Sequence, residues 1–275
     1  MTAGSPLEQF LLSHVALFLL TLARVSGIFL AAPFYSGTGI PVRLKASLAI
    51  LLSFCLAPMA AGEPADGPQG LDGLVGMGFA AVSELGIGFA LGFSGAVVLA
   101  AAQTAGHLIA QDIGITIANV IDPISNVQTS VIGQLKMAVA LYIFLALDFH
   151  HAVLRLLRES FRMIPLGGLS ETFLGPSTAA RWGEMALSEG TGLFDAAVRL
   201  GLPVGVTLLL VTVAMALLAR AVPEMNVFII GFGIRLLVGL WVLVLSVPVM
   251  ARVFQVLFEK AALESARALR ALAEV

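Results

Sequence analysis

Residues 73–103 run for about thirty positions with Glu84 as their only charged side chain. A helix of ~20 apolar residues already crosses the hydrocarbon core of a bilayer. Further apolar runs cover residues 7–34, 46–61, 131–147, 193–219 and 227–253. In lipid the backbone has no water to bond, and a helix satisfies its N–H and C=O groups within one segment. Charged residues make up 12% of the 275 and hydrophobic ones 59%, whereas soluble domains carry roughly 25% charge. The expected fold class is an all-α membrane protein. A net charge of −2 argues against a nucleic-acid partner. The single cysteine, Cys55, excludes an intrachain disulfide. No Lys or Arg precedes Arg24, so the first apolar segment lacks the basic lead of a cleaved signal and is expected to be retained.

Arg43 and Lys45 precede the second run, and an acidic stretch with Glu63, Asp66 and Asp72 follows it. The positive-inside rule puts the two bases on the cytoplasmic side. Within the third run Gly88 and Gly92 form a GxxxG with Ala96 one turn on, a spacing that lets helix backbones approach closely. Beyond it, Gln103, His107, Gln111 and Gly114 follow i, i+4, i+8, i+11 spacing and fall on one helical face, a seam toward water or a partner. Asp122-Pro123 is expected to stop that helix, because proline disfavours the α region for the residue before it. Residues 150–162 read as an amphipathic tail, residues 166–192 as a solvated loop, and 193–219 with 227–253 as a hairpin. Residues 254–275 read as a separate amphipathic helix, with Phe254, Phe258, Ala262, Leu269 and Leu272 on one side.

Arg24, Glu84, Lys136, Arg199 and Arg235 are charges that fall inside apolar segments. A charge at mid-membrane costs roughly 2.5–3.5 kcal/mol even on the lenient insertion scale. Lys136 and Arg199 lie near segment ends and are expected to snorkel. Arg24, Glu84 and Arg235 lie deeper and are expected to pair inside the protein or between subunits, with Arg24 the candidate partner of Glu84. Charge-swapping Arg24 and Glu84 together should then restore what either single swap loses.

Three enzyme-like or ligand-like patterns are set aside. Gly92-Phe93-Ser94-Gly95 matches the GxSG of intramembrane rhomboid proteases, but His150 and His151 open a charged segment and no oxyanion cluster lies upstream. His107, His150 and His151 are not expected to hold a metal, because no Cys or acidic ligand stands at the right spacing and adjacent histidines on a helix diverge by about 100°. Gly86-Ile87-Gly88 lacks the third glycine of a dinucleotide fingerprint. No catalytic residue, cofactor or metal is expected.

The ordered set Leu22-Ala23-Arg24-Val25-Ser26-Gly27, Ala32-Pro33-Phe34, Ile40-Pro41-Val42-Arg43, Glu84 with Gly86 and Gly88, and Ala105-Gly106 through Gln111, Gly114 and Asp122-Pro123 resembles the flagellar biosynthetic FliR family. So do Asp148-Phe149-His150-His151, Ser160-Phe161, Ile164-Pro165-Leu166-Gly167 and residues 220–232 downstream. Glu224 stands where the family usually has Gln, Gly233 where it has Pro, and His107 where the residue is often acidic. Such proteins and their injectisome counterparts are the T-type export-gate subunits of type III secretion. The resemblance implies tilted helical hairpins forming part of a helical multi-subunit export gate in the bacterial inner membrane, within the flagellar basal body.

The implied partners are P- and Q-type subunits (FliP, FliQ), an FlhB-type switch protein, membrane lipid and unfolded export substrates passing through an entry pore. One domain over 1–275 would divide near residue 193 into a P-like part, 1–192, and a Q-like hairpin with its C-terminal helix, 193–275. Residues 106–123 match the loop that closes the pore from inside. Gly106, His107, Gln111, Gly114, Asp122 and Pro123 are its candidate gating residues. A secondary transporter would use the same charges around broken helices, but no inverted repeat is visible.

Overall fold

The computed structural model describes residues 6–32, 41–60, 70–114, 131–167, 175–222, 224 and 226–273. Among them are seven α-helices and no strand: α1 Pro6–Ala31, α2 Val42–Ala60, α3 Gly70–Ile113, α4 Val131–Ala146, α5 Phe149–Met163, α6 Pro176–Ala221 and α7 Val227–Ala273. The chain is an all-α membrane protein. Among the described residues five helices carry stretches long and apolar enough to cross a membrane, and α4 with α5 forms a broken pair that adds a sixth if it counts as one span.

Three boundaries differ from expectation, each for a local reason. Helix α3 ends at Gly114, not at Asp122-Pro123, which lie outside the described residues. Gly114 takes φ +91, a left-handed conformation cheap only for glycine, and its N–H bonds the carbonyls of Ala110 and Gln111 at 3.1 and 3.0 Å. Most of the expected loop 166–192 is helix. Pro176 sits at the first position of α6, where its missing N–H costs nothing, and Ala179 N–H closes the first turn on Gly175 O at 2.9 Å. The Ala, Met, Glu and Arg residues that follow are good helix formers, so mixed charge there marks a solvated helix face. The amphipathic helix expected at 254–275 is continuous with the apolar segment before it in the 47-residue α7.

Helix α6 has 46 residues, which at 1.5 Å each span ~69 Å. Even at a 40° tilt its projection is about 50 Å against a hydrocarbon core of ~30 Å. Helices α3 and α7, of 44 and 47 residues, are of similar length. Part of each must therefore lie outside lipid.

The chain divides into two compact units. The first comprises Met1–Ala96, Asp148–Glu189 and Glu259–Val275. Its core joins Val25, Ile28 and Phe29 of α1, Ala49 and Ala60 of α2, Ile87 and Leu91 of α3, Leu157 and Phe161 of α5, and Leu269 of α7. The second unit comprises Val97–Leu147 and Gly190–Phe258, with a core of Ile109, Ala110 and Ile113 from α3, Ile132 from α4, Val204 and Leu208 from α6, and Leu243 from α7. In α3 61% of the apolar window is buried, against 17% in α6 and 22% in α7. Helix α3 is thus an inner element, while α6 and α7 offer apolar faces that lipid or other proteins must cover.

Candidate functional site

In the first unit α1 and α3 meet through glycine. A Cβ on Gly88 would overlap the Arg24 carbonyl oxygen, and one on Gly92 would come within 2.8 Å of the Ala32 nitrogen. Gly27, which spacing alone does not single out, completes the contact against the backbone of Leu85 and Phe89. Backbones this close bring the side chains one turn away into direct contact.

Arg24 and Glu84 are that pair. Both are fully buried, and Arg24 Nε donates to Glu84 Oε2 at 2.5 Å. The guanidinium also donates to Ser160 Oγ at 3.2 Å and to the Ile164 carbonyl at 3.0 Å, and it lies 4.6 Å from the centre of the Phe161 ring. Glu84 Oε1 accepts the Gly167 N–H at 2.8 Å, and Gly167 itself sits at φ +76. One ion pair therefore joins α1, α3, the end of α5 and the turn beyond it. Removing two charges from water costs several kcal/mol per ion, and the pair repays this only when the remaining donors and acceptors are also bonded. Here three protein groups besides the pair itself supply those bonds. Depth within apolar runs identifies Arg24 and Glu84; Ser160, Ile164 and Gly167 stand in segments that carry the family resemblance, but their bonds to the pair appear only in the fold.

One expected charge position differs. Lys136 does not snorkel: it is buried, and its Nζ donates to the Leu200 carbonyl at 2.8 Å. That carbonyl lies three residues before Pro203, in the turn of α6 that the proline ring crowds. Arg199 is exposed and pairs with Asp195 one turn away at 2.8 Å. Arg235 is half-buried, and its Nε has no hydrogen-bond partner among the described residues.

In the second unit the polar seam is largely filled by the chain itself. Gly106 packs backbone to backbone on Gly133 of α4, and a Cβ on Gly133 would meet Gln103 O at 3.3 Å and the His107 ring at 3.5 Å. Gln111 and Asp112 remain exposed where α3 ends. Residues 106–113, expected to be part of a movable loop, are helix, and Ile109, Ala110 and Ile113 are core residues.

Ser94 of the GxSG pattern bonds Leu91 O at 3.4 Å and Ser265 Oγ at 2.6 Å, which makes it a packing contact between α3 and α7. The histidines depart from expectation. Asp148 takes φ 56, caps α5 without a side-chain bond to its backbone, and turns its carboxylate toward the rings of His150 and His151. The divergence expected of adjacent helical residues is offset because both lie in the first turn, where the capping residue's side chain reaches them.

The described residues define a helical membrane protein with several helices able to cross a bilayer, whose first unit holds a buried, hydrogen-bonded ion pair. The chain belongs to the family described as bacterial export proteins, family 1, whose profile matches residues 15–261. It is 32% identical over 259 residues to the flagellar biosynthetic protein FliR of Escherichia coli K12, covering 92% of each chain. It is 29% identical to the protein of the same name from Bacillus subtilis 168, covering 94% of this chain and 96% of the relative. The Aquifex aeolicus VF5 protein is 28% identical, over 88% and 87%.

Proposed function

We propose that the chain is a core subunit of the bacterial flagellar type III export gate, where with P- and Q-type subunits it forms the entry pore for unfolded substrates. The observation that carries this is the end-to-end match to an export-protein family and to relatives named for flagellar biosynthesis. The relatives' names favour a flagellum over an injectisome. The geometry supports a multi-subunit setting, and the proposed gate lies in the inner membrane. Helices α3, α6 and α7 are too long for lipid alone, α6 and α7 expose large apolar side chains such as Leu210, Leu217, Trp241 and Leu245, and Arg235 lacks a partner for its Nε among the described residues. We assign Arg235 to a contact with a neighbouring subunit, and pore closure to the matched segment 106–123, narrowed to the residues after Gly114.

The test is complementation with co-purification. Restored motility in a strain lacking its own counterpart, with P- and Q-type subunits recovered alongside the tagged chain, is the expected result. A stably accumulated chain that recovers neither partner would overturn the proposal.

A further inference from the structure

We propose that Asp148, His150 and His151 form a binding site for a divalent transition-metal ion of the zinc class at the start of α5. This site is independent of the export reading. One carboxylate oxygen and one nitrogen from each ring all lie within 4.8 Å of one another. Asp148 Oδ1 is 3.3 Å from His151 Nδ1 and 3.8 Å from His150 Nε2. In a tetrahedral site with metal–ligand bonds of ~2.0–2.2 Å, ligand atoms stand roughly 3.3–3.6 Å apart. The Asp148–His151 edge has that length already, and the other edges need only small side-chain rotations.

Asp148 and His151 form an ion pair one turn apart, but among the described residues no hydrogen bond holds His150 in the arrangement. The separation from Asp148 to His150 Nε2 is too long for one, and His150 Nδ1 is buried without a partner among the described residues. The ring centres of the two histidines are 4.1 Å apart. Asp148 gives up the usual capping bond and takes a left-handed conformation that is uncommon for a residue with a side chain. A cation held by His150 Nε2, His151 Nδ1 and Asp148 accounts for the close rings and for the uncapped, left-handed Asp148, since it would draw the carboxylate and both rings to one point. The positive end of α5 opposes a cation, but the Asp148 carboxylate supplies a compensating charge beside the ion.

The donor set names the ion. Two imidazoles and one carboxylate suit zinc, copper, nickel or iron, whereas calcium and magnesium require mostly oxygen. Three protein ligands leave a fourth position for water. His151 and Asp148 are largely solvent-exposed, so an ion can enter from water without local unfolding.

The full chain, purified in detergent through a tag without histidine, is titrated with Co2+ and then with Zn2+. The expected result is one equivalent of Co2+ showing the absorption of a four-coordinate N/O site, displaced by one equivalent of Zn2+. His150→Gln with His151→Gln should weaken binding by about a hundredfold or more, since even loss of a supporting partner costs 10–100-fold. Asp148→Asn should weaken it at least ~10-fold on the same scale. Replacing the other candidate donors, His14, His107 and Cys55, should leave one equivalent bound. Failure of the wild-type chain to saturate at one equivalent overturns the site, as does unchanged affinity in a helical, monodisperse double variant. If the double variant does not fold, Asp148→Asn decides: an unchanged Co2+ spectrum and affinity there reject the assignment.

Discussion

Gly88 presses on the carbonyl oxygen of Arg24 so closely that no Cβ fits between them, and the preceding turn of α3 carries Glu84, which receives the Arg24 side chain. Close approach and charge pairing are one feature: the missing side chain at residue 88 makes the ion pair four residues earlier geometrically attainable. The obstacle to a larger residue is backbone, which cannot rotate away.

Gly88→Ala should therefore separate α1 from α3 and loosen the pair. Overpacking of this kind costs about 1–3 kcal/mol. Gly76 and Gly183 offer the control, because nothing lies within 4 Å of an added Cβ at either. Alanine at those positions should stabilise by roughly 0.5–1 kcal/mol through helix propensity. Thermal unfolding of the detergent-solubilised variants separates the cases, and equal behaviour of Gly88→Ala and Gly183→Ala would refute the close-packing account.

The surroundings of the ion pair change what charge substitution can do. Swapping Arg24 and Glu84 restores attraction, but the swapped carboxylate could not donate to Ile164 O and the swapped guanidinium could not accept the Gly167 N–H. Arg24→Glu with Glu84→Arg is therefore expected to recover only part of the loss. Either single change to Met strands a buried charge and should cost about 3–5 kcal/mol. The double change to Met should fall below the sum of the singles, a coupling that a double-mutant cycle on unfolding midpoints would measure. Additive losses would show that the two residues act independently.

Lys136 is a buried cation whose hydrogen-bond partner among the described residues is a main-chain carbonyl. Helical geometry also gives the Leu200 carbonyl the Val204 N–H, so removing the lysine leaves no orphaned acceptor. Lys136→Met keeps the volume and is expected to change stability by less than about 1.5 kcal/mol. Lys136→Ala opens a cavity and should cost about 2–5 kcal/mol. Intact folding with lost motility in Lys136→Met would place the charge in export, whereas intact motility would make it a packing residue.

The contrast between Glu84 and Lys136 shows what the sequence could convey. A lone acid in the middle of about thirty apolar residues must find a base, and Arg24 stood at comparable depth, so that pairing was legible. Lys136 lay near the start of its run, where snorkelling is sterically open, and only the arrival of α6 decides otherwise. The helices of the apolar runs were equally legible. Their ends were not: Gly114 and Pro176 act through local backbone geometry, and a charged helix face at residues 176–192 has the composition of a loop. The approach of His150 to His151 depends on the φ of Asp148, which no periodicity encodes.

The same helix end sharpens the test of pore closure. Removing residues 109–118 would delete Ile109, Ala110 and Ile113, whose side chains hold the second core together, and should prevent accumulation altogether. Excising residues 115–123 instead keeps α3 and its Gly114 cap. With P- and Q-type partners co-expressed, that variant is expected to accumulate at the wild-type level while the membrane becomes leaky to small ions, read as loss of a potassium gradient in resting cells. Unchanged leakage at wild-type abundance would remove the segment after Gly114 from any role in sealing the pore.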